Sequence, residues 1–296
     1  MKLSDLVDKI KDIRLYKDGE FDYLDFSNSK LNSKVLTFIE DERYIKNISN
    51  SITCIICKNE NAKLLSGKYG ILLSENPRLD FYLIHNFLSL NFKESNKKNF
   101  KTKIGKSCKI SNKAIIGEKN TIIGNNVIIE DNTVIKNNVN IGNNCIIRSG
   151  SIIGGEGFQF NKGKKRFFIE HCGGVTIGDN VEIQYNSCID RALFLWDKTK
   201  VGDETKIDNL VHVEHAVKIG SNCLIAGNSC IGGSTTIGNN CWIGLSATIS
   251  NGLVIGNNCR INIGAVVTKN INDNQSVSGN FAIEHSKFID FIKKIR

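Results

Sequence analysis

The stretch IGSNCLIAGNSCIGGSTTIGNNCWIG, residues 219–244, restates itself every six residues, with Ile219, Ile225, Ile231, Ile237 and Ile243 at its beats. Working outward, the same step from Ile177 meets Ile183, Ile189, Leu195, Val201, Ile207, Val213, and then Ile249, Ile255, Ile261 and Val267, without a miss. An upstream series runs Ile104, Ile110, Ile116, Ile122, Ile128 and Val134, slips by one residue, and continues as Ile141, Ile147 and Ile153. Period six fits neither a helix nor an alternating strand. It is the signature of a hexapeptide β-helix, in which three hexapeptides close one triangular coil and each coil buries its aliphatic residues on those above and below. Gly202, Gly220, Gly238 and Gly256 recur every eighteen residues, where a missing side chain relieves a tight corner, and the asparagines that follow tolerate left-handed backbone.

The repeat is interrupted once on a large scale, by GGEGFQFNKGKKRFFIEHCGG at 154–174, whose aromatic and basic residues do not suit a coil and are expected to loop outward. Residues 1–100 lack the period. They read as a small α/β domain: helix-like MKLSDLVDKIKDI, strand-like VLTFI and SITCIICK, and helix-like NPRLDFYLIHNFLSL. The coil is expected over 101–272, and the tail 273–296 ends in one short helix. The fold class is therefore mainly β.

Composition narrows the function. The chain has 296 residues, 41% of them hydrophobic, which suits a soluble globular protein. Its opening residues are charged throughout and no stretch is apolar enough to span a bilayer, so a cytoplasmic location is expected. The ten cysteines read as packing: Cys108, Cys145, Cys223, Cys241 and Cys259 each hold one repeat position, and Cys54 and Cys57 alternate with isoleucines in a strand. No metal and no tightly bound cofactor are expected. The net charge of +9 suits anionic partners such as an acidic carrier protein, a nucleotide diphosphate or a membrane face, while the lack of an aromatic-interleaved basic stripe argues against nucleic acid.

Several local motifs go beyond the repeat: LTFIEDERY with a downstream NPRLDF, IIGGEGFQF, VEIQYNSCIDRA, and IDNLVHVEHAVKIGSNCLIAGNSCIGGSTTIG. In this order they resemble the UDP-3-O-(3-hydroxyacyl)glucosamine N-acyltransferases of the hexapeptide-repeat superfamily, which act in lipid A biosynthesis. The resemblance implies left-handed coils, a homotrimer, and transfer of a 3-hydroxyacyl group from acyl carrier protein to the amine of a UDP-linked glucosamine. It places the catalytic base on His215, an oxyanion-binding backbone N–H on Gly233, and a neighbouring Asp-Asn motif on Asp208 and Asn209. It also places uracil contacts on Phe38 and Tyr44, with Asp41 between them, and further substrate contacts on Phe158 and Phe160. His212 stands where the family often has Gln and is a candidate substrate contact.

The chemistry agrees with those residue types. Acyl transfer from a thioester to an amine needs a proton acceptor near neutrality, which imidazole supplies, and a donor aimed at the developing oxyanion. The chain also departs from the pattern: Leu253 stands where a second family histidine is expected, Glu214-His215-Ala216 replaces Ala-His-Asn, and the terminal helices are cut to one. These departures keep a second reading in view, a sugar N- or O-acyltransferase that uses a short acyl-CoA in surface-polysaccharide assembly. A zinc enzyme of the carbonic-anhydrase kind would need three histidines, and only His171 is available beside His212 and His215. A non-catalytic β-helix is the remaining alternative.

Overall fold

The computed structural model describes all residues except 96–98, 162–165, 280–281, 283 and 296. The lysine-rich tip of the 154–174 loop thus lies outside the described residues. The chain divides into two compact units, one formed by 1–99, 156–173 and 192–197, the other by 100–155, 174–191 and 198–296. None of the described helices is long and apolar enough to cross a membrane.

The larger unit is a left-handed parallel β-helix. Its strands of two to four residues stack into three parallel sheets of nine, eight and eight strands. Ile219 pairs with Ile237 and Ile237 with Ile255, so each coil repeats the one below after eighteen residues. Every beat residue of the central stack is buried in one continuous core, and a small residue two positions earlier joins it. Cysteine suits that second position because its thiol donates to a carbonyl of the next coil: Cys223 to Gly238, Cys241 to Gly256 and Cys145 to Gly178, all near 3.1 Å.

The corners divide their labour differently from the expectation. Left-handed φ falls on the residue before the small inward one, as in Asn222 and Asn240, rather than on the recurring glycine. Gly220 is needed for stacking: a Cβ there would lie 2.6 Å from the backbone of Gly238.

Two expectations about the beat need correcting. In the upstream coils the inward residues are Ile123, Ile129 and Ile135, while Ile122 is 40% exposed against 2% for Ile123. The one-residue slip therefore lies between Ile116 and Ile123, where Ile104 pairs with Ile123 and Ile110 with Ile129, and not after Val134. Adjacent Ile-Ile pairs hid it. Leu195, counted as a beat, belongs instead to the other unit. Residues 192–197 leave the coil for six residues, so Ile177 pairs with Val201, and the longer excursion 156–173 sets Ile153 opposite Ile189. Both excursions are whole multiples of six, so neither disturbs the period in the sequence.

The smaller unit has a five-stranded sheet in the order β1 (Arg14–Lys17), β5 (Gly70–Leu73), β4 (Ile52–Cys57), β3 (Val35–Ile39), β2 (Tyr23–Leu24), with β1 antiparallel to the rest. Helices α1 (Ser4–Val7), α2 (Asn59–Leu65) and α3 (Pro77–Ser95) complete it. Apart from Thr53, β4 is apolar because both of its faces are covered. Cys54 and Ile56 face one core with Phe81, and Ile55 and Cys57 face the other with Leu65. Three residues apart on a strand, the two thiols point to opposite faces, and burial pushes each up to about 11. Pro77 opens α3, where its missing N–H is harmless, and Asp80 in the first turn accepts from the Ser74 hydroxyl at 2.5 Å.

The excursions complete this unit. Ile169, Leu193 and Phe194 enter its core, Asn86 of α3 bonds the backbone of Phe168 and Glu170, and the Trp196 indole donates to the Leu24 carbonyl at 3.0 Å. The 154–174 segment, assigned above to the coil, thus groups with the first hundred residues over 156–173. The tail carries one described helix, α4 (His285–Ile295).

Candidate active site

Within the coil, His215 sits at the corner that follows the strand His212–Val213. Val213 turns inward, which fixes His212 outward, and the chain then turns through Ala216 at φ 59. The Ala216 N–H donates to the Thr199 hydroxyl at 2.9 Å, and the His215 carbonyl accepts from the Ser234 N–H at 2.8 Å. One coil on, Gly233 lies flat against the imidazole: a Cβ would stand 2.6 Å from Cε1 and 2.7 Å from Nε2 of His215. Only glycine leaves room for that ring. The Gly233 N–H donates to Glu214 Oε2 at 2.8 Å. A carboxylate therefore holds the N–H that the resemblance reserves for an oxyanion.

Beside this corner, His212 Nε2 meets Asp190 Oδ2 at 3.0 Å. The hydrogen bond to that carboxylate raises the His212 pKa above its usual value, against the opposing effect of burial. Asp190 is 2% exposed, and Cys188 donates to its other oxygen at 3.4 Å. Burial pushes the Cys188 thiol up to about 12. Cys188, His212 and Cys230 are cross-strand neighbours on successive coils. Sequence reasoning quoted Asp190 only as part of a motif and gave no role to Cys188. Their adjacency to His212 depends on the excursion 192–197, which sets these rungs 24 residues apart instead of eighteen.

Asp208 and Asn209 occupy the preceding corner, at the other end of the strand His212–Val213. Asp208 accepts from the backbone of Asn209 and Gly227, and Asn209 accepts from the Tyr185 N–H. Both side chains tie one coil to the next. Leu253, the position of the expected second histidine, packs against the coil core.

In the smaller unit, Phe38 lies on β3 in an aromatic cluster, 5.0 Å from the Phe81 ring and 6.4 Å from Phe26. Tyr44 is exposed on the 3₁₀ helix Glu42–Asn47. Asp41 caps that helix by accepting from the Arg43 N–H at 2.9 Å and pairs with the Arg43 guanidinium at 2.6 Å, which holds its carboxyl down at about 2. Phe158, 88% exposed, stacks edgewise on Phe160 at 5.1 Å, and Phe160 on Phe168 at 5.4 Å. His171 is buried in this unit against Phe168 and joins neither of the metal-ligand-type groups found among the described residues, which are Cys188–Asp190–His212 and His212–Glu214–Cys230.

The profile of the bacterial transferase hexapeptide family (six repeats) matches residues 120–155 and 198–233, the second match spanning both His215 and Gly233. A UDP-3-O-acylglucosamine N-acyltransferase of Caulobacter vibrioides is 41% identical over 87 residues, 29% of this chain and 25% of the relative. The proteins of the same name from Anaeromyxobacter sp. and Pseudomonas putida are 40% identical over 93 residues and 49% over 70, covering 26% and 19% of their lengths. The matched stretches thus span about a quarter of the relatives. Among solved structures, the UDP-N-acetylglucosamine acyltransferase from Campylobacter jejuni superposes with a TM-score of 0.55 at 21% identity, over 66% of this chain and 79% of that one, and shares its fold.

Proposed function

We propose that the chain is an N-acyltransferase that moves an acyl group, of the 3-hydroxyacyl class, from an acyl-carrier-protein thioester to the amine of a UDP-linked glucosamine. The observation that carries this reading is the His215 imidazole packed on Gly233 inside a segment that matches the transferase hexapeptide family. The amine nitrogen attacks the thioester carbonyl and gives its proton to His215. The oxyanion is met by the Gly233 N–H, with the Glu214 carboxylate displaced as the carbonyl enters. Collapse of the intermediate expels the thiolate, which takes the proton back from His215, leaving an amide and a free thiol. A placed base of this kind contributes about 100- to 10,000-fold, and the oxyanion donor a similar factor. Phe38, Asp41 and Tyr44 are proposed to hold the uridine, Phe158 and Phe160 to contact the acyl-sugar, and Asp208, Asn209 and His212 to line the approach to the base. No cofactor is required by this sequence of steps. By the same reading the active form is a homotrimer in the cytoplasm.

The alternative, a short acyl-CoA donor and a polysaccharide amino sugar, is favoured by one observation: Leu253 packs on the coil core where the resemblance expects a second histidine. Intact-mass detection of product from UDP-3-O-acylglucosamine with 3-hydroxyacyl carrier protein or with acetyl-CoA separates the two. His215→Ala is expected to lose turnover by about 100-fold or more while keeping its fold. A near wild-type rate in that variant would remove His215 from the mechanism. Glu214→Ala, which frees the N–H from the outset, should react at least as fast as the wild type, and a large loss would sink the displacement step.

A further inference from the structure

One outward row of the coil reads Ile152, Cys188, His212, Cys230, Thr248 from rung to rung. Soft ligand side chains thus replace aliphatic ones at its centre. Asp190 follows Cys188 by two residues and its carboxylate, almost wholly buried, meets both neighbours: Oδ1 lies 3.4 Å from Cys188 Sγ and Oδ2 lies 3.0 Å from His212 Nε2. In a tetrahedral zinc site with bonds of about 2.3 Å to sulfur and about 2.0 Å to nitrogen or oxygen, adjacent ligand atoms stand about 3.3–3.6 Å apart. The Sγ–Oδ1 and Nε2–Oδ2 separations are close to these, and one ligand atom from each of the three residues lies within 4.8 Å of the other two. On the rung below, Gly155 pairs with Asp190, and a Cβ there would lie 3.3 Å from Asp190 Oδ1 and 3.7 Å from Cys188 Sγ. Glycine at this place leaves the space beside both donors free of a side chain.

We propose that Cys188, Asp190 and His212 bind one divalent transition-metal ion of borderline softness, of the zinc class, with a fourth position open to water. Thiolate, imidazole and carboxylate together select such an ion over magnesium or calcium, which prefer oxygen alone. On binding, the Cys188 thiol releases its proton to solvent, and a His212 ring nitrogen gives its lone pair to the metal in place of the proton shared with Asp190. Glu214 and Cys230 form a similar group around the same imidazole, but the Glu214 carboxylate is already bonded to the Gly233 N–H, which assigns the ion to the Cys188 side. The site shares His212 with the acyl-transfer reading, and its test therefore reads metal binding and not turnover.

The test uses the full chain, stripped with a chelator and titrated with cobalt(II), then with zinc in competition. Expected are one ion per chain by elemental mass spectrometry and a thiolate-to-cobalt absorption band that zinc abolishes. Cys188→Ser should remove the band and weaken binding by about tenfold or more, Asp190→Asn should weaken it comparably, and Cys230→Ser should leave it unchanged. Circular dichroism of each variant excludes misfolding as the cause. Absence of saturable binding, or a band that survives Cys188→Ser and disappears in Cys230→Ser, would overturn the assignment.

Discussion

At the residue scale, the two positions that matter most to the proposed chemistry are set by space. Gly233→Ala would drive a methyl group into the His215 ring, with contacts of 2.6–2.7 Å to Cε1 and Nε2. The obstructed atoms belong to a side chain with freedom to rotate, so the ring moves and the backbone stays. The expected result is a loss of about 100-fold in kcat with little change in thermal midpoint, because a displaced base no longer meets the amine. A midpoint collapse would show that the glycine is there for the coil alone. Leu210 illustrates the opposite case. It holds φ 58 and is 59% exposed, so a branched side chain bears left-handed backbone strain without compensating burial. Leu210→Asn should raise stability by about 1 kcal/mol, read from the urea midpoint, since asparagine enters that conformation readily. An unchanged or lowered midpoint would mean that Leu210 makes a stabilising contact in the assembled protein.

At the element scale, the coil was legible because one physical requirement, an aliphatic residue facing inward at each side of the triangle, repeats with the period of the backbone. What the period could not reveal is which member of an Ile-Ile pair faces inward, and so the slip was placed after Val134 when it follows Ile116. Cys54 and Cys57 were legible as core residues because their spacing puts them on opposite faces of a buried strand. His85 on α3 was not singled out, since its partner, the Glu170 carbonyl at 2.7 Å, comes from an excursion 85 residues away. Burial, the dominant cause, holds the His85 pKa below its usual value, so the folded unit favours the neutral ring. Its contribution to stability is therefore complete above the unfolded pKa, about 6.5, and falls as the pH drops through the folded value. Urea unfolding of the smaller unit should weaken between pH 7 and pH 5, and His85→Gln should flatten that slope. A slope that the substitution leaves intact would assign the acid sensitivity to other groups.

At the scale of the whole molecule, the two excursions explain both what the sequence hid and how the chain is organised. Lengths of eighteen and six residues keep the beat in phase on either side, so the count of aliphatic positions ran through Leu195 undisturbed. Only composition could have betrayed the shorter one, since ALFLWD sets Phe194 and Trp196 amid hexapeptides that hold aromatic residues rarely. In the structure those rings stack 6.0 Å apart, Phe194 lies 5.4 Å from Phe26 and 6.2 Å from Phe81, and Leu193 is buried beside them. The excursion is thus core for the smaller unit and surplus for the coil. Deleting residues 192–197 restores the eighteen-residue spacing between Ile183 and its partner above, and every rung of the sheet keeps its hydrogen bonds in principle. The smaller unit loses the buried side chains of Leu193 and Phe194, worth about 1.5–3 kcal/mol each by burial alone, together with the packing of Trp196 and its bond to Leu24. Against a domain stability of about 5–15 kcal/mol this is a large fraction. Calorimetry of the deletion variant should then show the transition of the smaller unit shifted down or lost, and the coil transition preserved. Phe194→Ala should give a milder form of the same pattern, about 3–5 kcal/mol. Loss of the coil transition instead would mean that the excursion is needed to close the coil that carries Asp190, and that two units read as separate cores fold as one.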